Sequence, residues 1–316
     1  MSMADHYTLL PQTAQVVPQG WFDAQLSRYR TSSEVLKSFL SQEIQALQDF
    51  HNGETNVNEA AHAITRPIST SSIPALGTSS DEIVAITQLW RLFKDALIEW
   101  PTHSSAELVD LLSAITKVPD QLHRGEALDD DNKPMLWDGI PYFTMVWSDA
   151  HWMRPGHIVR RCDDTASRQR ACDIYLKQQD VESQLVAAGL FPWKLAFQYI
   201  IKALEKPPDP NDNTQAQNDA IGEDQLQVDF HIPAVASWIK HNGQRLYEEL
   251  ARDELKNWER SDVPAYTKQF GLSTDRWTFW KKRLSEVAGD APDEVTKKAA
   301  QTAVKYMNTI TDSLGD

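Results

Sequence analysis

The segment 136–158, LWDGIPYFTMVWSDAHWMRPGHI, concentrates residue types that catalyse reactions and bind ligands: tryptophan, histidine, aspartate and arginine. The histidine at position 151 can exchange a proton near neutral pH, because an unperturbed histidine has a pKa of about 6.5. On a helix, His151 shares a face with Trp147, which puts the imidazole beside an apolar ring. We therefore predict His151 as the catalytic acid–base residue if the protein is an enzyme. The alternative is a histidine that packs at a helix end before Pro155, where a cation is favourable in any case.

Metal binding by this segment is disfavoured by the spacing of its histidines. His157 lies six positions after His151, with a proline and a glycine between them. Two histidines on one helix converge on an ion when three or four positions separate them. The sequence also lacks a Gly-rich phosphate loop, a dinucleotide-binding fingerprint and a serine in a G-x-S-x-G turn. We therefore expect no bound metal and no cofactor.

Tryptophan is unusually frequent, with 11 residues in the chain. Core packing is the first explanation for so many large rings. The second is an apolar pocket lined by indole rings, with a few polar side chains that orient a ligand. Under that interpretation the predicted ligand-binding residues are Trp147, Trp152, His157, Arg276, Trp277 and Trp280.

Apolar residues recur at helical spacing through almost the whole chain, and no segment shows the sustained alternation of a β-strand. We predict an all-α fold: a single compact assembly of about nine or ten helices that includes αα-hairpins. Proline is expected to end one helix before Pro67 and to begin another at Pro233. Capping boxes are expected at three helix starts: Thr31 with Glu34, Ser79 with Glu82, and Ser104 with Glu107.

The chain is expected to consist of one helical domain and a short extension. Residues 1–30 form the predicted N-terminal extension, and residues 31–316 form the domain. Within the domain, residues 207–225 are proline-led, acidic and rich in amides, and such a composition buries too little apolar area to offset chain entropy. We predict a mobile acidic surface loop there.

The amino-acid composition limits which classes of partner and which cellular compartments are expected. Acidic residues outnumber basic ones by 45 to 31, for a net charge of −14, which repels a phosphate backbone and argues against nucleic acid as a partner. Cys162 and Cys172 have no further cysteines with which to form a zinc set or a secreted disulfide framework. The sequence has no apolar run of about 18 residues and no signal-peptide pattern at its start. We expect a cytoplasmic protein without a membrane segment.

Several short motifs resemble a family of filamentous fungi classed as a domain of unknown function, number thirty-six thirty-two. They are LW at 89–90, W-x-x-x-P-x-F at 137–143, ALE at 203–205, Ala234 with Trp238 and Ile239, and R-W-x-F-W at 276–280. The resemblance spans about residues 30–310. It implies an intracellular, helical fungal protein whose relatives are sometimes encoded near enzymes of specialised metabolism, and it implies no catalytic residue.

The chain departs from the family pattern directly after Phe143, where it reads TMVWSDAHW. Trp137, Pro141 and Phe143 belong to the shared motif and are expected to be architectural. The departing portion contains Trp147, His151, Trp152 and His157, which are therefore the better candidates for a function of this particular protein.

The residues leave two classes of function open. As a small-molecule-binding protein or cofactor-free enzyme of specialised metabolism, the chain needs an enclosed apolar pocket lined by several of the aromatic residues above. As a scaffold for protein–protein interaction, it needs an exposed apolar patch instead. We expect the first, with an apolar small molecule as the partner, because the aromatic residues cluster in segments with charged, amphipathic flanks.

Overall fold

A computed structural model describes residues 16–18, 20–29, 33–70, 79–119, 136–151, 154–205, 227–251, 273–291 and 293–314. Every regular element within these residues is an α-helix, so the predicted all-α class is confirmed, with twelve helices rather than nine or ten. The helices are α1 (Trp21–Arg28), α2 (Glu34–His51), α3 (Val57–Ser69), α4 (Ser79–Glu99), α5 (Ser104–Ile115), α6 (Phe143–His151), α7 (Pro155–Val159), α8 (Thr165–Ala187), α9 (Lys194–Leu204), α10 (Val228–Ala251), α11 (Thr274–Asp290) and α12 (Glu294–Leu314). None of these helices is long and apolar enough to cross a membrane. The loop predicted at 207–225 lies outside the described residues.

The chain divides into two compact units, Met1–Trp152 and Met153–Asp316, which we call unit 1 and unit 2. Unit 1 contains α1 to α6, and unit 2 contains α7 to α12. Helix α1 lies within the predicted N-terminal extension, yet its Trp21 and Gln25 are buried, so this helix is part of unit 1. A single assembly of all the helices stays a prediction.

Two helices continue through the prolines that the sequence predicts as their boundaries. Helix α3 runs past Pro67, and α10 begins at Val228, well before Pro233. A proline lacks the N–H that would bond the carbonyl four residues earlier. For Pro233 that carbonyl belongs to Asp229, and the thiol of Cys172 on α8 donates to it across 3.6 Å. A side chain from a neighbouring helix thus replaces the missing helix bond, and the predicted boundary at Pro233 is wrong.

Helix starts also differ from the predicted capping boxes. Ser104 is the first residue of α5 rather than its cap, because the preceding turn already has helical geometry, with His103 at φ −66° and ψ −24°. The Ser33 hydroxyl caps α2, Thr31 lies outside the described residues, and Ser79 is the first residue of α4. The observed capping boxes pair Asn56 with Glu59 and Asp164 with Ser167.

The core of unit 1 is aromatic and holds the motif segment 137–143 in a tight turn. Trp90 on α4 donates its indole N–H to the backbone carbonyl of Pro141 across 2.6 Å. On either side of that proline the backbone is left-handed, with φ 44° at Ile140 and φ 67° at Tyr142. Residues with a Cβ rarely adopt such angles, and a β-branched one is a genuine outlier. The buried indole bond therefore stabilises a strained turn.

In unit 2, helix α10 packs against α8, α9, α11 and α12 and is the central element. Gly243 allows the close approach of α12, because a Cβ at this position would lie 2.8 Å from the Cδ1 atom of Ile310. The opposite side of α10 faces α8, and the polar side chains between these two helices form the site described below.

Helix α2 of unit 1 buries an acidic residue, Glu43, which is 1% exposed. Burial raises the pKa of its carboxyl to about 8, because the charged form loses its hydration in the core. Glu43 is therefore protonated in the folded protein at neutral pH, whereas a carboxyl in the unfolded chain is ionised.

We expect the free energy of unfolding to fall as the pH rises from about 4.5 to about 8, because over this range the folded chain keeps the Glu43 proton and the unfolded chain releases it. One such group contributes at most about 1.4 kcal/mol per pH unit. In Glu43→Gln the proton-binding group is gone, so this part of the slope disappears. Urea denaturation at a series of pH values measures the slope.

The control is Glu34→Gln, at an exposed position on the same helix, which should retain the wild-type slope. An equal slope in wild type and Glu43→Gln would contradict the assignment of the proton to Glu43.

Candidate functional site

The residues predicted from the sequence as a site are distributed over both units. Trp147 and His151 lie on α6 of unit 1, and His157 lies on α7 of unit 2. Arg276, Trp277 and Trp280 lie together on α11 of unit 2. Trp152 and the side chain of His151 lie outside the described residues, so the predictions for these two residues are not tested.

Trp147 is a core residue of unit 1. It is 2% exposed, and its ring lies 6.2 Å from that of Phe143. His157 is half-buried, and the residue after it, Ile158, packs against the apolar cluster around Cys172. Core packing, the first of the two explanations for the tryptophans, accounts for the position of Trp147.

The α11 residues belong to a fully buried polar network centred on Glu205, the residue that follows the end of α9. Arg276 donates from Nε and Nη2 to the two carboxylate oxygens of Glu205, at 2.7 Å and 3.1 Å. Trp280 donates its indole N–H to the same carboxylate at 2.9 Å. The guanidinium also lies 5.4 Å from the centre of the Phe197 ring, and Trp277 is 2% exposed. Arg276 and Trp280 therefore hold α11 against the end of α9, since a buried guanidinium requires such a partner.

A different set of polar side chains meets between α8 and α10 at a partly exposed position. Asp180 on α8 accepts a hydrogen bond from the Ser237 hydroxyl on α10. Gln184, one turn along α8, donates its amide N–H to the other carboxylate oxygen at 2.7 Å. His241, one turn along α10 from Ser237, places Nε2 3.4 Å from Asp180. We call these four residues the Asp180 cluster.

The carboxyl of Asp180 is held in its ionised form. Burial by itself would raise its pKa, but the neighbouring His241, Ser237 and Gln184 stabilise the anion and bring the pKa below the ordinary value. The His241 contact is close, yet Nε2 is not aligned for a hydrogen bond, so the attraction is electrostatic and strengthens when the imidazole gains a proton. The side chains of Asp180 and His241 are each 22% exposed, which leaves them accessible to a small molecule.

An aromatic layer adjoins the Asp180 cluster. Trp238 follows Ser237 in the chain, is 1% exposed and stacks on Tyr199 with ring centres 5.5 Å apart. The Tyr199 hydroxyl lies 2.9 Å from that of Tyr175 and 3.4 Å from Nδ1 of His231. The Trp238 ring therefore packs in the core behind Ser237.

The Asp180 cluster contains the residue types of a Ser–His–Asp triad in a different order. In a triad the histidine lies between serine and aspartate and takes the serine proton. Here Asp180 lies between Ser237 and His241, so the serine proton points to the carboxylate. Among the described residues, none hydrogen-bonds to Nδ1 of His241. The geometry supports proton transfer by an imidazole beside a carboxylate rather than attack by the serine.

Sequence reasoning missed the Asp180 cluster because its members lie on helices far apart in the chain. Each helix does carry a local signal, namely polar residues one turn apart: D-x-x-S-Q at 180–184 and S-x-x-x-H at 237–241. Neither pattern is distinctive alone, since such pairs are common on solvated helix faces. The packing of α8 against α10 is what unites them.

Comparison with known proteins finds one family. The family model described as "Protein of unknown function (DUF3632)" matches residues 90–284, more than half of the chain. No curated protein and no solved structure matches the chain. The match confirms the family that the motifs resemble, over a shorter span than the 30–310 expected from them. It covers the Asp180 cluster and the Glu205–Arg276 pair, and it does not extend to α1, α2 or α3.

Removal of the Glu205 charge should be strongly destabilising. Glu205→Gln removes the carboxylate charge that accepts two hydrogen bonds from the buried Arg276 guanidinium, and we expect the free energy of unfolding to fall by about 3–5 kcal/mol. Chemical denaturation followed by circular dichroism measures this loss. Glu286→Gln is the matched control, because Glu286 pairs with another α11 arginine, Arg283, at an exposed position where an ion pair contributes about 1 kcal/mol or less. Equal effects of the two substitutions would contradict the importance of the buried pair.

Proposed function

Since the chain belongs to the DUF3632 family, we propose its function from the geometry of unit 2: this unit binds a small apolar molecule and transfers a proton to or from it without a cofactor. His241 is the acid–base residue of the proposal, and Asp180 stabilises the charged imidazole that forms when His241 accepts a proton. The observation that carries the proposal is the approach of His241 to an ionised carboxylate at a position accessible to small molecules.

Two physical features support a proton-transfer reaction at this position. The His241 imidazole lies 3.4 Å from the Asp180 carboxylate, which offsets the charge that forms when the ring takes a proton from a substrate and then returns it. The hydrogen bonds from Ser237 and Gln184 fix the orientation of the carboxylate beside the imidazole. The acid–base role predicted for His151 in unit 1 is a separate hypothesis.

The structure offers less support for the alternative function, a scaffold for protein–protein interaction. The large apolar side chains that are exposed within the helices described are Leu26, Val84, Met145, Val295, Tyr306 and Leu314. One each lies on α1, α4 and α6 of unit 1, and the three on α12 of unit 2 are spread along that helix from its second residue to its last, whereas a scaffold needs a contiguous apolar patch.

The proposed setting is the cytoplasm of a filamentous fungus, within specialised metabolism. Two observations support it: the resemblance of the motifs to a fungal family, and two cysteines that are both free thiols. Burial raises the pKa of the Cys172 thiol to about 12, so that residue is unreactive and serves the structure.

Exchange of carbon-bound hydrogen for deuterium tests the proposal directly. The full chain is incubated in D₂O with acetophenone, a neutral apolar ketone whose methyl protons are acidic, and exchange is followed by NMR. We expect saturable exchange by the wild-type protein, a loss of about 100-fold or more in His241→Gln, and a smaller loss in Asp180→Asn, because general acid–base residues contribute roughly that much to a rate.

His157→Gln is the control, since His157 is a half-buried histidine of the same unit outside the Asp180 cluster. It should exchange the ketone at the wild-type rate, and the melting temperatures of all variants establish that they are folded. Exchange no faster than with an equal concentration of free imidazole, or an unchanged rate in folded His241→Gln, would overturn the proposal.

A further inference from the structure

The polar contacts between α8 and α10 form two rows that run side by side. The outer row is the Asp180 cluster, in which the side chains of Asp180 and His241 are each 22% exposed. The inner row is buried and consists of two hydrogen-bonded pairs, Gln179 with Trp238 and Ser183 with Asn242. Every residue of the inner row is the neighbour in the chain of a residue of the outer row. A bond in the inner row therefore holds the backbone that carries the outer row.

The distance between His241 and Asp180 is not set by a hydrogen bond between these two side chains. Nε2 of His241 lies 3.4 Å from the carboxylate but is not aligned for a hydrogen bond. The Ser237 hydroxyl does bond to Asp180, but Ser237 lies one turn before His241, so this bond fixes the carboxylate rather than the imidazole. The position of the imidazole therefore depends on how α10 is held against α8 at residue 241.

Asn242 supplies the contact with α8 that lies nearest to His241 in the chain. Its Nδ2 atom donates to the backbone carbonyl of Ser183 at 2.9 Å, and the residue is 4% exposed. Because the acceptor is a backbone atom, the bond locates α8 itself rather than a side chain that can rotate. Ser183 lies three residues after Asp180, so the bond joins α10 to the turn of α8 that carries the carboxylate.

Helix α8 does not need this bond for its own stability. Within an α-helix the carbonyl of Ser183 accepts from the N–H four residues later, and a carbonyl oxygen has a second lone pair for the Asn242 amide. The Asp229 carbonyl opposite Pro233 differs, since its internal donor is missing. What the Asn242 bond adds is therefore the height and the rotation of α10 relative to α8.

We propose that Asn242 is a positioning residue for His241 and Asp180, an inference that rests on the function proposed above for unit 2. Its bond to Ser183 holds the imidazole at the distance from the carboxylate that proton transfer requires. Without the bond, α10 can turn or slide against α8 at this level. A misplacement of about 1 Å can lower a rate about 100-fold, although Asn242 itself touches no substrate.

A spectroscopic test in the full chain measures the geometry without any reaction. The protein is labelled with ¹³C in histidine, and the ring resonance of His241 is identified among the nine histidines by its loss in His241→Gln. Asp180→Asn should shift this resonance, because residues in contact are coupled. In an Asn242→Ala background, we expect Asp180→Asn to shift it by about a third of that amount or less, since the two side chains have moved apart.

Hydrogen exchange in acetophenone gives the second measurement. Asn242→Ala should lower kcat about tenfold or more and leave KM unchanged, because a positioning residue acts on the geometry of the transition state and not on binding. A residue that served folding alone would reduce the amount of folded protein, which circular dichroism measures. It would leave the rate per folded molecule and the His241 ring shift unchanged.

Two further variants separate the bond from the packing around it. Ser183→Ala removes a buried hydroxyl between the same two helices but keeps the backbone carbonyl to which Asn242 donates, so both measurements should match the wild type. Asn242→Ser has a side chain too short for the bond, so it should behave like Asn242→Ala while retaining a polar group.

The ring shift decides the proposal whether or not the protein exchanges the ketone. Its loss in the Asn242 variants supports the positioning role even if the function proposed for unit 2 fails. Absence of the shift in the wild-type background, or a full shift in folded Asn242→Ala and Asn242→Ser, would overturn the proposal. So would an equal effect of Ser183→Ala, which would assign the change to packing, or unfolding of both Asn242 variants, which would assign the bond to stability.

Discussion

The register between α8 and α10 is the constraint on which the chemistry of unit 2 depends. Contacts between the two helices advance together along both chains: Cys172 with the Asp229 carbonyl, Gln179 with Trp238, and Ser183 with Asn242. The helices are therefore parallel, and a fixed offset pairs each turn of one with a turn of the other. The Asp180 cluster is one step in this series, so a shift by a single turn would separate the carboxylate from His241.

Pro233 makes that register specific. In a regular helix the N–H of residue 233 would bond the Asp229 carbonyl, and this carbonyl would keep a hydrogen bond even if Cys172 moved away. Because proline has no N–H, the carbonyl depends on the thiol of the neighbouring helix. The Asp229 side chain adds a second connection to α8, through its ion pair with Arg168. Pro233 thus removes one hydrogen bond within α10 and makes a hydrogen bond between α10 and α8 necessary.

The two units differ in whether their buried polar groups are hydrogen-bonded. In unit 2 the Arg276 guanidinium, the Glu205 carboxylate and the Trp280 indole satisfy one another in the core. In unit 1 the Gln25 amide and the Glu43 carboxyl are as deeply buried but have no such partners. Both arrangements carry a desolvation cost, and only the first compensates it with hydrogen bonds. The motif residues of the family belong to the first kind: Trp90, Arg276 and Trp280 all make structural bonds.

The amino-acid sequence by itself determined the helical class, the approximate position of most helices and the membership of the family, because hydrophobic periodicity and short motifs are local properties. It also identified Arg276, Trp277 and Trp280 as a group, since they share one helix. Two predictions from local sequence rules failed. A proline predicts a helix boundary because it lacks an N–H, but at Pro233 the thiol of Cys172 on α8 bonds the carbonyl that this N–H would have bonded. Ser104 does not cap α5 because the turn before it is already helical. The Asp180 cluster, and the burial of Gln25 and Glu43, were decided by tertiary structure alone. These are common polar residues in sequence, and only the packing of the helices brings the members of the cluster together and buries Gln25 and Glu43.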